Sequence, residues 1–136
     1  ESARKVAGAE DRIRVLDLET RLGTQYTVDT LEKLTSLAPT AHFVWLMGAD
    51  NLVSFHLWRR WRDIAHLVPI AVIARPGHVT AAKLSRAARM MKRFEVKPIS
   101  AYRLATKRPP AWTFVTDTLD PRSATAIRAA GLWPPR

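Results

Sequence analysis

Five apolar residues in succession, Phe43 to Met47, stand between Pro39 and Gly48. So short a run suits a parallel strand covered on both faces, because a half-exposed strand would alternate. Gly48 closes the run, and Asp50 follows just beyond its carboxyl end. Ligands bind at that end of strands in open α/β sheets, and a helix N-cap falls at the same place. Position alone leaves both readings of Asp50 open.

The pattern divides the rest of the chain in the same way. Glu1 to Ala7 reads as the tail of a helix. Arg12 to Leu18 alternates apolar and polar residues, which predicts a half-buried strand. A helix is expected from Tyr26–Leu31 to about Leu37, capped by Thr27 or Asp29, with Val28, Leu31 and Leu34 on its buried face. Asn51 to Leu67 has helical period but is interrupted at His56-Leu57-Trp58, so two helices are expected, Asn51–Phe55 and Trp58–Leu67. Val68 to Ala74 is a second apolar strand, ending in Arg75-Pro76-Gly77. Val79 to Phe94 predicts one amphipathic helix, with Leu84, Ala87, Ala88 and Met91 inward and Lys83, Arg86, Arg89, Lys92 and Arg93 outward. Pro98, Pro109 and Pro110 interrupt the stretch from Val96 to Ala111, where no element is assigned. Trp112 to Thr116 is a third strand, and Asp120–Ser123 turns into a helix over about Ala124–Ala130. Alternating strands and helices imply an α/β fold with a mostly parallel sheet.

Composition narrows the class. A chain of 136 residues, 47% hydrophobic, is expected to form a single domain over residues 1–136. No apolar run approaches the roughly 20 residues that span a bilayer, so no membrane partner is expected. The chain has no Cys, which removes disulfides and thiolate metal sites and is compatible with the cytoplasm, the location expected. The net charge of +10 suits nucleic acid, an anionic surface or a small polyanionic substrate. It equally suits Arg spread over a solvated surface, and here the Arg residues are scattered.

Three strand ends carry polar groups of complementary type. The first is Gly48-Ala49-Asp50, the second Arg75-Pro76-Gly77, and the third the turn from Asp120 to Arg128. Ser123 and Thr125 offer hydroxyls beside the open N–H groups of a helix start, with Arg128 placed to fork onto a phosphate. A plain N-cap with Arg128 in solvent explains the same residues. In Trp58-Arg59-Arg60-Trp61-Arg62, an indole could stack on a heteroaromatic ring while Arg pairs with an anion, or both Trp could pack inward. His42, His56, His66 and His78 lack ligand spacing, so no metal site is expected in the protein itself.

Taken together, these residues resemble the bacterial nicotinate-mononucleotide adenylyltransferases of the nucleotidyltransferase superfamily. Glu19 to Leu31 (ETRLGTQYTVDTL) resembles the family's E-x-R-x-G-x-S-Y-T-x-D-T-L segment. Met47-Gly48-Ala49-Asp50-Asn51-Leu52, with Trp58 eight residues past Asp50 and then Arg75-Pro76-Gly77, resembles its G-x-D…W…R-P-G run. Arg122 to Arg128 is similar to its serine–threonine–arginine signature. All three lie in the family's order.

The resemblance implies a Rossmann-like, mostly parallel sheet with flanking helices, and adenylyl transfer from ATP to nicotinate mononucleotide, giving deamido-NAD and pyrophosphate. Carried over by position, Trp58 would stack on the nicotinate ring. Backbone around Tyr26 and Thr27 would take its carboxylate, with Arg59 nearby. Gly48 and Asp50 would meet the nucleotide, Asp50 through ribose hydroxyls. Ser123, Thr125 and Arg128 would hold ATP phosphates, Arg75 would line the same region, and Mg²⁺ would arrive with ATP. The family's histidine-bearing G-G-S/T-F-D/N-P-x-H-x-G-H loop has no counterpart in Glu1 to Arg12, so no catalytic residue is assigned within this chain. The chain is thus expected to be the carboxyl-terminal portion of such an enzyme, with impaired turnover. Gln25 stands where the family usually has Ser, and Ala124 replaces its commoner Ser. Two rival readings are a sister adenylyltransferase with another acceptor and a basic nucleic-acid-binding module, the latter the less expected. Homo-oligomer formation stays open.

Overall fold

Among the described residues, three parallel strands, β1 (Trp45–Gly48), β2 (Ile70–Ile73) and β3 (Trp112–Val115), pair in the order β1-β2-β3. The computed structural model describes residues 2–8 and 10–116. In register, Trp45 lies opposite Ile70 and Ile70 opposite Trp112, so Gly48, Ile73 and Val115 end side by side. That alignment brings the loops after β1 and β2 to one edge of the sheet. The fold is α/β, a Rossmann-like parallel sheet with flanking helices.

The helices are α1 (Ser2–Ala7), α2 (Leu18–Leu22), α3 (Thr27–Leu37), α4 (Ala49–Ser54), α5 (Trp61–Leu67), α6 (Val79–Lys83) and α7 (Arg86–Met90). Shorter 3₁₀ turns occupy Phe55–Leu57 and Lys92–Phe94, and a longer one Pro98–Thr106. No described helix is long and apolar enough to cross a membrane.

The main core lies between one face of the sheet and the helices, around Val28, Leu52, Phe55, Ile64, Ile70 and Val72, all almost wholly buried. Each such side chain contributes roughly 1.5–3 kcal/mol relative to exposure, whereas an exposed ion pair contributes roughly 0–1 kcal/mol. Apolar burial therefore sets the architecture. On the other face, Ala71, Leu104 and Ala111 pack together under the Pro98–Thr106 turn. There the buried hydroxyl of Thr113 donates to the Val96 carbonyl at 2.8 Å.

Several expectations need correction. Cover on both faces holds for β2 but not for β1, which is the edge strand among the described residues. Met47 faces the core while Leu46 is 65% exposed. Arg12 to Leu18 forms no strand, and Ile13 and Leu16 are exposed. An alternating pattern supplies one buried face, but a strand also needs a partner backbone, and none of the described strands pairs with this segment. Its Arg12 bonds instead to Glu10 at 2.7 Å. Neither Thr27 nor Asp29 caps α3; Tyr26 holds that position in extended backbone. Of its expected inward residues, Val28 and Leu31 are buried and Leu34 only partly so.

The single helix expected over Val79–Phe94 is broken in the middle. Ser85, buried, takes an extended conformation, and its hydroxyl accepts from the Ala88 N–H at 3.2 Å, starting α7 afresh. The break turns Leu84 outward to 65% exposure, while Ala87, Ala88 and Met91 stay inside. A serine hydroxyl can compete for backbone bonds in this way, which periodicity does not register. The helix expected over Ala124–Ala130 lies outside the described residues.

Ser85→Ala should cost about 1 kcal/mol of stability by losing this cap, and Ser85→Gly only a few tenths, as urea unfolding would read. Equal loss in the two variants would show that the cap is not what matters there.

Candidate functional site

Phe55, wholly buried in a 3₁₀ turn, anchors the site by holding two tryptophans. Trp61 meets it edge-on at 5.5 Å between ring centroids and Trp58 at 5.4 Å. The two indoles then part. Trp61 is 8% exposed and belongs to the core, whereas Trp58, also edge-on to Trp45 at 6.4 Å, is only partly buried. Trp58 lines a cleft of about 300 Å³ with Gln25, Tyr26, Thr27, Leu57, Arg59 and Ile64. This volume is at the small end of ligand pockets and matches a single heteroaromatic ring with its substituents.

The four residues expected to receive a pyridine ring therefore meet in one place. Trp58 and Arg59 come from the turn before α5, and Tyr26 and Thr27 from the start of α3. The Arg59 guanidinium lies 4.7 Å from the centre of the Tyr26 ring, a cation–π contact that joins the two segments. No side chain caps the start of α3, whose first turn also carries Asp29. The turn itself is held by Thr30, whose hydroxyl shares a 2.6 Å hydrogen bond with that of Thr24 and donates to the Tyr26 carbonyl at 3.2 Å.

A second group gathers at the carboxyl ends of β1 and β2. Gly48 occupies the N-cap position of α4 in extended backbone, so Asp50 lies in the first turn of that helix and does not cap it. The reading of Asp50 as a mere cap is thereby removed. Asp50 Oδ1 faces Arg75 Nε at 3.4 Å, an ion pair too long to be a good hydrogen bond. That oxygen is buried and accepts no hydrogen bond from the described residues. A Cβ at Gly48 would collide with Asp50 Oδ1 and come within 2.9 Å of Arg75 Nε. Only glycine leaves both side chains room over the strand end.

Ser123, Thr125 and Arg128, the third expected group, lie outside the described residues. Sequence reasoning missed three contributors to the cleft wall: Gln25, Leu57 and Ile64. Ile64 falls one helical turn after Trp61, so periodicity places it inside, yet nothing in the pattern marks it as bordering a ligand. Leu57 is 75% exposed at the cleft, against its hydropathy.

A family model described as cytidylyltransferase-like matches residues 1–130. The chain is 48% identical over 122 residues to a probable nicotinate-nucleotide adenylyltransferase of Roseobacter denitrificans, covering 90% of this chain and 61% of that protein. Proteins of the same description from Parvibaculum lavamentivorans and a Bradyrhizobium species are 48% and 45% identical over 97% and 93% of this chain. The match spans 65% and 66% of their own lengths, so the chain corresponds to somewhat under two thirds of these relatives.

Gly48→Ala should displace the Asp50 and Arg75 side chains yet cost under about 1 kcal/mol of stability, since both side chains are partly exposed and can shift. The Arg75 Nε–H resonance would move while the unfolding midpoint stays nearly constant; an unmoved resonance would contradict the close approach.

Proposed function

The chain belongs to the cytidylyltransferase-like family, and from that premise we propose that it serves adenylyl transfer from ATP to nicotinate mononucleotide. The products are deamido-NAD and pyrophosphate, a step of NAD biosynthesis carried out in the cytoplasm. The observation that carries this reading is the cleft uniting Trp58, Tyr26, Thr27 and Arg59. Its aromatic wall suits a pyridine ring, and its guanidinium suits the ring's carboxylate.

In the reaction, a phosphate oxygen of the mononucleotide attacks the α-phosphorus of ATP. The bond to the β-phosphate oxygen breaks, and pyrophosphate leaves with the displaced charge. No covalent enzyme intermediate is needed, so the protein's work is to position the two substrates and neutralise charge. Trp58, held by its ring contacts, presents a fixed surface for stacking. Tyr26 and Thr27 offer backbone N–H groups to the carboxylate, and Arg59 adds its positive charge. At the strand ends, Gly48 gives Asp50 and Arg75 room to stand over the strand where the nucleotide would lie, Asp50 accepts from ribose hydroxyls, and Arg75 faces the phosphates. Ser123, Thr125 and Arg128 complete the phosphate contacts. Mg²⁺ would accompany ATP, held mainly by its phosphates and by water, and would supply further neutralisation of the phosphate charge.

Isothermal titration with nicotinate mononucleotide and its amide counterpart tests the reading. The acid should bind about tenfold more tightly, the scale of one charge-assisted hydrogen bond. Trp58→Ala should weaken acid binding by about 5- to 150-fold, as loss of a base-stacking surface does at about 1–3 kcal/mol. Equal affinity for acid and amide, or undiminished binding by Trp58→Ala, would overturn the assignment of the cleft.

A further inference from the structure

Arg60 follows the two cleft residues Trp58 and Arg59 but turns away from the cleft. It adopts φ 50° and ψ 40° at the N-cap of α5, the left-handed region that L residues with a side chain avoid. Its guanidinium forks onto Glu32 of α3, with Nη2 at 2.7 Å from Oε1 and Nη1 at 3.2 Å from Oε2. Its Nε donates to Asp63 Oδ2 at 2.7 Å. Its carbonyl accepts from the N–H groups of Asp63 at 2.9 Å and Ile64 at 3.2 Å, the first turn of α5.

These contacts are exposed, with side chains 41–51% accessible. Ion pairs of that kind contribute little to global stability. A glycine would serve the backbone better at this φ. What the arginine supplies is a two-toothed tie between the cleft's two walls, because Glu32 lies on the helix that Tyr26 and Thr27 begin. Bidentate guanidinium–carboxylate pairing fixes orientation as well as distance.

We propose that Arg60 is a positioning residue that sets the width of the cleft, holding the Trp58–Arg59 segment against α3 through Glu32. This rests on the reading of the cleft as the mononucleotide site. Its two carboxylate partners also neutralise Arg60, leaving Arg59 as the cation presented to an anionic ligand. The left-handed turn at Arg60 delays α5 to Trp61 and keeps Trp58 and Arg59 out of the helix, with their side chains at the cleft.

The test uses Arg60→Gly, which keeps the backbone turn and removes the fork, Glu32→Gln, which weakens the pair from the other side, and the double variant. Titration with nicotinate mononucleotide should show each single variant binding about tenfold more weakly, the scale expected when the ligand itself must order mobile side chains. The double variant should bind no more weakly than either single one, because both remove the same tie. The unfolding midpoint of Arg60→Gly should hold or rise. A fallen midpoint with unchanged affinity would mean a merely structural pair and would overturn the proposal, as would affinity within twofold of the parent. If the parent chain binds no mononucleotide, the cleft assignment fails, and the clamp is judged by amide exchange instead. The Trp61 N–H, which donates to the Trp58 carbonyl at 3.2 Å, should then exchange faster in both single variants. Unchanged exchange would overturn the clamp.

Discussion

The candidate site depends on the burial of Phe55. Its ring, with no exposed surface, is fixed by the core beneath it and in turn fixes Trp58 and Trp61 by edge-on contacts. One indole completes the core and the other stands at the cleft, so apolar burial is converted into the placement of a cleft-facing ring. The short 3₁₀ turn at Phe55–Leu57 makes this division possible. In a continuous α-helix, residues 58 and 61 would lie on one face, three apart. The turn and the left-handed Arg60 separate them.

Charge is distributed with a similar division of labour. The chain carries a formal +10, yet the cations near the site differ in what they face. Arg60 is satisfied by two carboxylates and holds structure. Arg59 rests on an aromatic face, and Arg75 has only a long ion pair, at 3.4 Å, with Asp50. Groups held loosely by the protein are the ones able to exchange partners for an anionic substrate without leaving a buried charge unpaired. The Asp50 oxygen, without a hydrogen bond from the described residues, and the crowded Gly48 belong to the same logic. An incompletely satisfied strand end next to a glycine is a poor stabilising arrangement and a good receptive one.

Much of this was legible in the residues. The apolar runs Phe43–Met47, Val68–Ala74 and Trp112–Thr116 each hold most or all of a described strand, and the motif residues Asp50, Trp58 and Arg75 fall at a strand end or at the cleft. These features repeat with the period of the element that carries them, or sit at its ends. What escaped depended on contacts distant in sequence or on single backbone angles. Arg12 to Leu18 has a strand's alternation but no strand to pair with. Ser85 breaks a helix through one side-chain hydrogen bond, and Arg60 takes a conformation that its residue type disfavours. The tie from Arg60 to Glu32 spans 28 residues and leaves no trace in local pattern.

The central claim is that one cleft receives a pyridine ring between the start of α3 and the turn before α5. A crystal structure of the chain with nicotinate mononucleotide tests it most directly. The ring should lie stacked on Trp58, with its carboxylate within hydrogen-bond distance of the Tyr26–Thr27 backbone or of Arg59. A mononucleotide bound elsewhere, or a cleft left filled by water beside a bound ligand, would contradict it.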